Sequence, residues 1–295
     1  MNTPYLIFTD ASADFLREFA EKEQIHVIPM SCTLGDEELI CSCTEPDEQF
    51  KRYYDGQREG KATHTTQISP QKYIDAFTPF VQKGESILYL SLSGGLSSTY
   101  NSSLIAAKEL SEEYPNAKVV CVDSRSATIG IGFLLECAAK NRADGMSIEE
   151  NAAWLEENRL RVSHWFMVDD LMHLKRGGRI SPTTAIVGSA LNIKPILRIE
   201  ADGTLASFSK KRGAKAALSE LVELYKQSTV GGKGERVMIV HSDNTEGADF
   251  LEQEVKKINP DCVLTKSMLT PIIGCHTGPG MCAIVHFCKP ECARQ

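Results

Sequence analysis

Several features typical of other protein classes are missing from this chain of 295 residues. No apolar run of about 18 residues occurs, so no segment is predicted to span a membrane. Acidic residues outnumber basic ones by 39 to 32, and the net charge of −7 argues against a general binder of nucleic acid or anionic membranes. The N-terminus has no basic region and no small-residue cleavage site, so we expect no signal peptide and a cytoplasmic protein.

Several enzyme motifs are missing as well. The sequence has no G-x-x-x-x-G-K-[ST], so nucleotide phosphates have no standard cradle, which disfavours a phosphate-binding enzyme. Gly130 and Gly132 lack the third glycine of a dinucleotide fingerprint. G-x-S-x-G is absent around Ser93 and Ser97, so the serine-hydrolase elbow is not predicted.

Regular cysteine spacing is also lacking, although the chain has 10 cysteines. Two loose pairs, Cys41 with Cys43 and Cys288 with Cys292, have no matching second pair at zinc-site spacing. We therefore expect reduced structural thiols, no metal site and no disulfide framework.

What the first half contains is an alternation of apolar runs and helix-like segments. A β-α-β unit is predicted over residues 5–28, with a helix at 14–23. Further strands are predicted at 87–90 and 118–122, each followed by a helix. This order predicts an N-terminal Rossmann-like domain, residues 1–160, with three α/β/α layers and a mostly parallel sheet.

The second half has a different pattern, with a hairpin about Asp202-Gly203 and only short helices before it. It predicts a C-terminal domain, residues 161–295, with two α/β layers and a mixed sheet. Within it we expect a small-residue helix at 183–190 and a glycine turn from Ile272 to Gly280.

The stretch from Ser91 to Tyr100 follows a predicted strand and precedes a predicted helix. Backbone N–H groups at such a helix start attract anions. Gly94 and Gly95 allow close approach of a ligand, and Ser97 can cap the helix or bind the same anion. Taken alone, the stretch is more typical of an ordinary capped turn.

A second hydroxyl-rich stretch runs from Thr63 to Ser69 and precedes a helix predicted at 71–81, with Ser69 as its cap and Pro70 in its first turn. From this loop alone, its hydroxyl groups are as consistent with ligand binding as with an ordinary solvent-exposed loop.

Seven segments carry a further signal: Thr9-Asp10 to Asp14, Thr65 to Pro70, Gly95 to Ser102, Val122 to Ser124, Asp170 to Ile180, Leu191 to Leu197, and His276 to Gly280. In that order they resemble T-D-S-x-x-D, T-S-Q-P-S-P, G-L-S-G-T-Y-Q-S, V-D-S, D-L-x-x-L-K-K-G-G-R-I, L-N-I-K-P-I-L and H-T-G-P-G of the DegV family of fatty-acid-binding proteins. The chain departs from this pattern at four positions: Thr66 and Gly94 stand for Ser, Ile68 for Pro, and Ser98 for Gly.

The resemblance implies a bacterial carrier in phospholipid metabolism with one long-chain fatty acid (C14–C18) held between two domains. A separate ATP-using fatty acid kinase subunit would convert that fatty acid to acyl phosphate. The carrier itself would have no catalytic residue, no cofactor other than the bound fatty acid, and no metal. Neither a nucleic-acid partner nor membrane contact is evident.

The resemblance also brings four distant residues together as an anchor for the fatty-acid carboxylate. Thr65 and Ser97 would donate hydrogen bonds to it, helped by backbone N–H groups of the turn from Gly95 to Ser98. His276 would donate a hydrogen bond to the carboxylate directly or hold the hydroxyl network in place. Arg179 would balance the charge of the carboxylate, directly or through water. Ser93, Gly94 and Gly95 would form the supporting loop.

Each of these residues has an ordinary alternative. Thr65 and Ser97 are typical helix caps, His276 is a typical structural histidine, and Arg179 fits a solvated surface or a docking face for the kinase. We expect the acyl chain against the second half, near Ile186, Val187 and Leu191.

The competing enzyme hypothesis is a hydrolase or acyltransferase with Ser97 as nucleophile and His276 as base. No acidic partner for His276 is marked in the sequence.

Overall fold

The computed structural model describes residues 5–15, 17–43, 45–180 and 192–295. The strands of these residues are β1 Tyr5–Asp10, β2 Ile25–Ile28, β3 Met30–Leu34, β4 Glu37–Cys41, β5 Thr65–Thr66, β6 Ser86–Ser91, β7 Val119–Asp123, β8 Val162–Met167, β9 Ile193–Ile199, β10 Leu205–Arg212, β11 Arg236–His241, β12 Val263–Met268 and β13 Cys282–Phe287. The α-helices are α1 Arg17–Glu23, α2 Asp47–Arg58, α3 Pro70–Val81, α4 Thr99–Glu113, α5 Ile129–Ala143, α6 Ile148–Asn158, α7 Met172–Arg176, α8 Ala214–Ser228, α9 Thr245–Ile258 and α10 Pro271–Thr277.

The N-terminal half is built on a four-stranded parallel sheet in the order β2-β1-β6-β7. The hydroxyl of Tyr5 accepts a hydrogen bond from Asn151 of α6, at 2.8 Å, whereas the ring of Phe8 meets Phe77 of α3 edge-on. Residues 5 and 8 of a strand point to opposite faces. Helices therefore cover both faces, and the predicted three-layer α/β/α arrangement is confirmed.

A second, smaller sheet has the antiparallel order β4-β3-β5. The hairpin between β3 and β4 turns at Gly35, whose φ of 63° favours glycine. The short strand β5 was expected to be a loop, but Thr65 pairs with Cys32 of β3. This pairing fixes the backbone that carries the Thr65 side chain.

The C-terminal half is built on a six-stranded mixed sheet in the order β10-β9-β8-β13-β11-β12. Only β11 and β12 pair in parallel, and the other neighbours are antiparallel. On one face, Ile196, Val237 and Ile284 pack with α8 and α9 in a core of their own, which includes Leu221 and Leu251. One helical layer on one face gives the two-layer α/β arrangement that the sequence predicted.

The other face of the mixed sheet looks toward the N-terminal half across helix α5. This helix is apolar around its circumference and buried along most of its length, as expected for a helix between two sheets. The rings of Phe133 in α5 and Phe287 in β13 stack with their centroids 5.7 Å apart. Gly132 leaves room for the backbone carbonyl of Asp14, which lies 2.2 Å from where a Cβ would stand.

The segment around His276 differs from the expected glycine turn, because residues Pro271–Thr277 form helix α10. Pro271 suits the first turn of a helix, where no N–H partner is needed. Two side chains of α2 form hydrogen bonds with this helix and the residues before it. The hydroxyl of Tyr54 donates to the carbonyl of Leu269 at 2.8 Å, and Nε2 of Gln57 donates to the carbonyl of Gly274 at 3.2 Å.

Asp14 also holds this segment. The sequence predicted a helix over 14–23 that included Asp14, but Asp14 lies before the observed helix. It precedes α1 Arg17–Glu23, and its Oδ1 accepts a hydrogen bond from the backbone N–H of Thr270 at 3.0 Å. The other acid of the motif, Asp10, accepts from Ser12 and from the hydroxyl of Tyr89. Both aspartates are buried, and their hydrogen bonds join the opening motif to Tyr89 and Thr270.

Asp14 should make the stability of the protein depend on pH. Burial raises the pKa of Asp14 to about 7, above its ordinary value of 3.8. The folded protein then holds this proton more tightly than the unfolded chain, so stability should fall as the pH rises from about 4 to about 7. We expect the unfolding temperature of the wild type, relative to Asp14→Asn, to decrease between about pH 5 and pH 8. Parallel profiles for the two proteins would contradict this assignment.

Two sequence expectations lie outside the described residues: the helix at 183–190, and the placement of the acyl chain at Ile186, Val187 and Leu191. Among the helices that are described, none has the length and apolar character needed to cross a membrane.

Candidate functional site

A cavity of about 240 Å³ lies between the inner face of the mixed sheet and loops of the N-terminal half. Strand β13 and the residue before it contribute Met281, Ala283 and Val285 to its wall. Alternate residues of a strand share one face, so the cavity extends along the strand. The N-terminal half contributes apolar side chains that include Leu92 and Leu96.

One end of this cavity is polar, and all four residues predicted as the anchor line it. They are Thr65, Ser97, Arg179 and His276. Thr65 and His276 are 211 positions apart in the chain. The fold brings them together because β5 lies beside β3, and α10 packs on β3 and α2.

The contact that defines the polar end joins Thr65 Oγ1 and His276 Nε2 at 2.9 Å. Burial, together with the positive charge of Arg179, lowers the pKa of His276 to about 4. His276 is therefore neutral near pH 7 and carries one ring proton. Placed on Nε2, that proton is donated to Thr65 Oγ1, which leaves the Thr65 hydroxyl proton available for a ligand.

Gly177 sets the position of the His276 ring. A Cβ at residue 177 would lie 2.3 Å from Nδ1 of His276, too close for any side chain. Nδ1 is buried and has no hydrogen-bond partner among the described residues. The ring is thus held from one side by Thr65 and from the other by the bare backbone after α7.

Arg179 supplies the positive charge at this end. Its Nε donates to the carbonyl of Leu96 at 3.1 Å, and Nη1 donates to the carbonyl of Gly177. A guanidinium has five N–H donors, so these two bonds orient the group without using all of them. Because Leu96 precedes Ser97, the same contact ties Arg179 to the serine loop.

Ser97 has a capping contact and also faces the cavity. Its Oγ accepts a hydrogen bond from the N–H of Thr99 at 3.2 Å and lies 2.8 Å from Thr99 Oγ1. With Thr99 donating to Ser97, the Ser97 hydroxyl proton can be offered to a ligand. The N-cap residue of α4 is Ser98, and the role of Ser97 as a carboxylate anchor stays a prediction.

Three of the four backbone N–H groups of the turn predicted to bind the carboxylate, those of Gly95, Leu96 and Ser97, have partners within the protein. The N–H groups of Leu96 and Ser97 both donate to the carbonyl of Ser93, at 3.0 and 3.2 Å, and that of Gly95 donates to Ser93 Oγ. The N–H of Gly94 donates to Oδ1 of Asp123. These four donors are used within the protein, which gives the turn a tight shape of its own.

Ser93, Gly94 and Gly95, predicted as a supporting loop, lie where the two halves meet. Ser93 Oγ donates to the carbonyl of Gly203 at 2.8 Å. A Cβ at Gly95 would come within 2.7 Å of the Gly203 carbonyl carbon. The loop thus rests on the turn of the β9–β10 hairpin.

The geometry does not favour the enzyme hypothesis. Ser97 Oγ bonds to Thr99, and His276 Nε2 bonds to Thr65, so the structure gives no Ser97–His276 hydrogen bond of the kind a nucleophile and its base require. Among the described residues, no cluster of His, Cys, Asp and Glu could hold a metal ion.

Sequence reasoning missed several residues that shape the cavity or its polar end, among them Gly177, Thr128 and His164. Gly177 lies within the Asp170 to Ile180 motif, and the close approach of His276 that requires a glycine there depends on a residue distant in sequence. Thr128 and His164 line the cavity, at the start of α5 and on β8. His164 lies within an apolar strand pattern, where a polar residue is the available signal.

The fold and this site define a two-domain α/β protein with a mostly apolar cavity between its halves and a cluster of polar groups at one end of that cavity. The family model of DegV, described as a family of uncharacterised proteins, matches residues 5–289. The chain belongs to the DegV family.

Similar proteins agree with this assignment over the full length. A DegV domain-containing protein of Clostridium perfringens is 39% identical over 280 residues, which cover 95% of this chain and 96% of that protein. The crystal structure of DegV from Bacillus subtilis, described as a fatty acid binding protein, is 28% identical with a TM-score of 0.82, and covers 98% of this chain and 100% of its own. The crystal structure of the Streptococcus pneumoniae Fatty Acid Kinase B3 protein, loaded with linoleic acid, is 19% identical with a TM-score of 0.83. The match covers 97% of this chain and 100% of that one. This last similarity shows the fold alone.

Proposed function

We propose that this protein binds one long-chain fatty acid, with the carboxylate at the polar end of the cavity and the acyl chain along β13. The observation that carries the proposal is the Thr65–His276 hydrogen bond beside Arg179, at one end of a mostly apolar cavity. The B. subtilis relative described as a fatty acid binding protein supports the choice of ligand.

The expected energetics fit such a ligand. Each methylene that leaves water contributes about 0.8 kcal/mol, so the chain provides most of the affinity. The carboxylate needs few donors, but they must be well placed because its end of the cavity is partly shielded from water. Thr65 and Ser97 hydroxyls would donate to it, His276 would orient Thr65, and Arg179 would supply the compensating charge.

We further propose that the protein is a carrier, which presents its fatty acid to a separate ATP-using kinase subunit for acyl phosphate formation. The support is the resemblance of seven motifs, together with the fold shared with the protein named Fatty Acid Kinase B3. The separate hydrogen-bonding partners of Ser97 and His276 fit a protein that performs no acyl transfer itself.

Mass spectrometry of an organic extract of the natively purified protein should find one C14–C18 fatty acid per chain. An empty protein that also fails to take up added fatty acid would contradict the binding proposal. The loaded protein with ATP should form no hydroxylamine-trapped acyl phosphate until a kinase subunit is added. Acyl phosphate formed by the purified chain alone would contradict the carrier proposal.

A further inference from the structure

Two cysteines of the β3–β4 hairpin lie side by side. Cys32 of β3 is opposite Leu39, and Cys41 of β4 is opposite Met30. The two cysteines therefore occupy diagonal positions on one face of the hairpin. Their Sγ atoms are 3.9 Å apart, and each residue is 1% exposed. The pair is thus close enough for a modest movement of the strands to bring the two sulfurs into bonding distance.

The same hairpin supports the carboxylate anchor. Cys32 pairs directly with Thr65 of β5, across the sheet from β4. The hydroxyl of Thr65 is in turn bonded to Nε2 of His276, at 2.9 Å. Any movement of the Cys32 backbone therefore reaches the hydroxyl that is proposed to hold the carboxylate.

The two thiols differ in acidity. A hydrogen bond from the thiol of Cys41 is the main cause that lowers the pKa of Cys32, and the hydroxyl of Tyr53 acts in the same direction, against burial. The pKa of Cys41 is raised by its bond to Cys32 and by burial. The nearby Cys43 has another partner, because its Sγ donates to the carbonyl of Ala13 at 2.8 Å. Cys32 is thus the thiol that ionises first, and Cys41 is its neighbour.

A small oxidant can reach this pair from the edge of the sheet. Strand β4 is an edge strand, and Ile40, next to Cys41, is 67% exposed. Glu37 and Glu38 of the same strand are exposed as well. Edge strands of this kind open locally without unfolding of the whole protein. Hydrogen peroxide is close to water in size, so such an opening is sufficient to admit it.

We propose that Cys32 and Cys41 form a reversible redox pair, which a hydroperoxide oxidises to a disulfide that weakens the binding of the fatty acid. The Cys32 thiolate attacks hydrogen peroxide: an S–O bond forms, the O–O bond breaks, and the leaving hydroxide takes up the proton that Cys32 released. The Cys41 thiol then attacks the sulfenic sulfur: the S–S bond forms, the S–O bond breaks, and a second water leaves with the thiol proton. The two thiols lose two electrons, and the peroxide gains them.

The disulfide would change the shape of the hairpin. Diagonal residues of an antiparallel pair are about 7–8 Å apart, whereas the Cα atoms of a disulfide are usually about 5.5–6 Å apart. Strands β3 and β4 must therefore shift to close the bond, and Thr65 moves with the strand to which it is paired. The effect on binding rests on the proposed function, because it assumes that Thr65 holds the carboxylate.

The first measurement tests the disulfide and does not depend on a ligand. The full chain is treated with hydrogen peroxide, free thiols are blocked with N-ethylmaleimide, and the protein is cleaved after acidic residues. Cleavage after Glu38 separates Cys32 from Cys41, so only a disulfide holds the two peptides together. Mass spectrometry should find the joined peptides in the wild type and in Cys43→Ala, and should not find them in Cys41→Ala. Their absence from the oxidised wild type would overturn the inference.

The second measurement is the displacement of a fluorescent long-chain fatty acid from the same three proteins. Peroxide should weaken binding about tenfold in the wild type and in Cys43→Ala, and dithiothreitol should restore it. Cys41→Ala retains every methionine and the other nine cysteines, so its unchanged affinity would exclude oxidation elsewhere as the cause.

Two other results are decisive in different ways. Joined peptides with an unchanged affinity in the wild type would overturn the inference and leave the proposed function intact. Failure of the reduced wild type to bind the fatty acid would overturn the proposed function and, with it, the effect on binding. The joined peptides would then still establish Cys32 and Cys41 as a redox pair.

Discussion

Replacing Thr65 and Ser97 together with alanine should weaken the binding of a long-chain fatty acid about 100-fold. A hydrogen bond to a charged group contributes about 1.5–3 kcal/mol, so the loss of two amounts to about 3 kcal/mol or more. Both side chains line the polar end of the cavity and neither belongs to the apolar core. Isothermal titration of stripped protein with a fatty acid would measure the change in affinity.

The matched control is the double variant Thr66→Ala and Ser98→Ala. Each of these residues neighbours one of the anchoring residues, and both are exposed. The control should bind fatty acid as the wild type does. Unchanged affinity in the Thr65 and Ser97 variant, with its unfolding temperature preserved, would refute the carboxylate assignment.

Gly177→Ala should lower the affinity for fatty acid at least tenfold, through His276. The φ of Gly177 is −71°, which alanine adopts without strain, so the substitution acts by contact and not by backbone conformation. The new methyl group would stand 2.3 Å from Nδ1 of His276 and force the ring away from Thr65. The Thr65 hydroxyl would then lose the partner that orients it, which is comparable to the loss of a hydrogen bond of about 1.4 kcal/mol.

Gly178→Ala separates this contact from a general effect on the glycine pair. Gly178 has a φ of 72°, and nothing lies within 4 Å of its absent Cβ. Alanine there should reduce stability by roughly 1 kcal/mol because of backbone strain, and it should leave the affinity unchanged. The opposite pattern, with affinity lost only in Gly178→Ala, would show that His276 does not depend on Gly177.

Much of the fold follows from local patterns in the sequence. The N-terminal strands are short apolar runs that end at polar turns, and Ser69 caps α3 through a hydrogen bond to the N–H of Lys72, as predicted. The helix predicted to follow the strand at 118–122 is α5. The hairpin of β9 and β10 turns about Asp202-Gly203 as expected. These features depend on residues that are close in sequence, where propensity and pattern are informative.

Other features depend on distant partners and were missed for that reason. Thr65 and Thr66 form a strand because β3 offers them an edge, which no local pattern reveals. His276 lies on a helix because Asp14, Tyr54 and Gln57 hold that segment from the other half of the chain. The four anchoring residues were grouped by resemblance alone, since no spacing rule joins positions 211 residues apart.

Helix α10 has a wider consequence for how the chain holds together. It belongs to the second half of the sequence, yet Asp14, Tyr54 and Gln57, which form hydrogen bonds with the helix and with the two residues before it, belong to the first. The anchor is divided in the same way, with Thr65 and Ser97 on one side and Arg179 and His276 on the other. The two halves should therefore melt in one cooperative transition, and a chain split near residue 160 should regain its ligand only when both fragments reassociate.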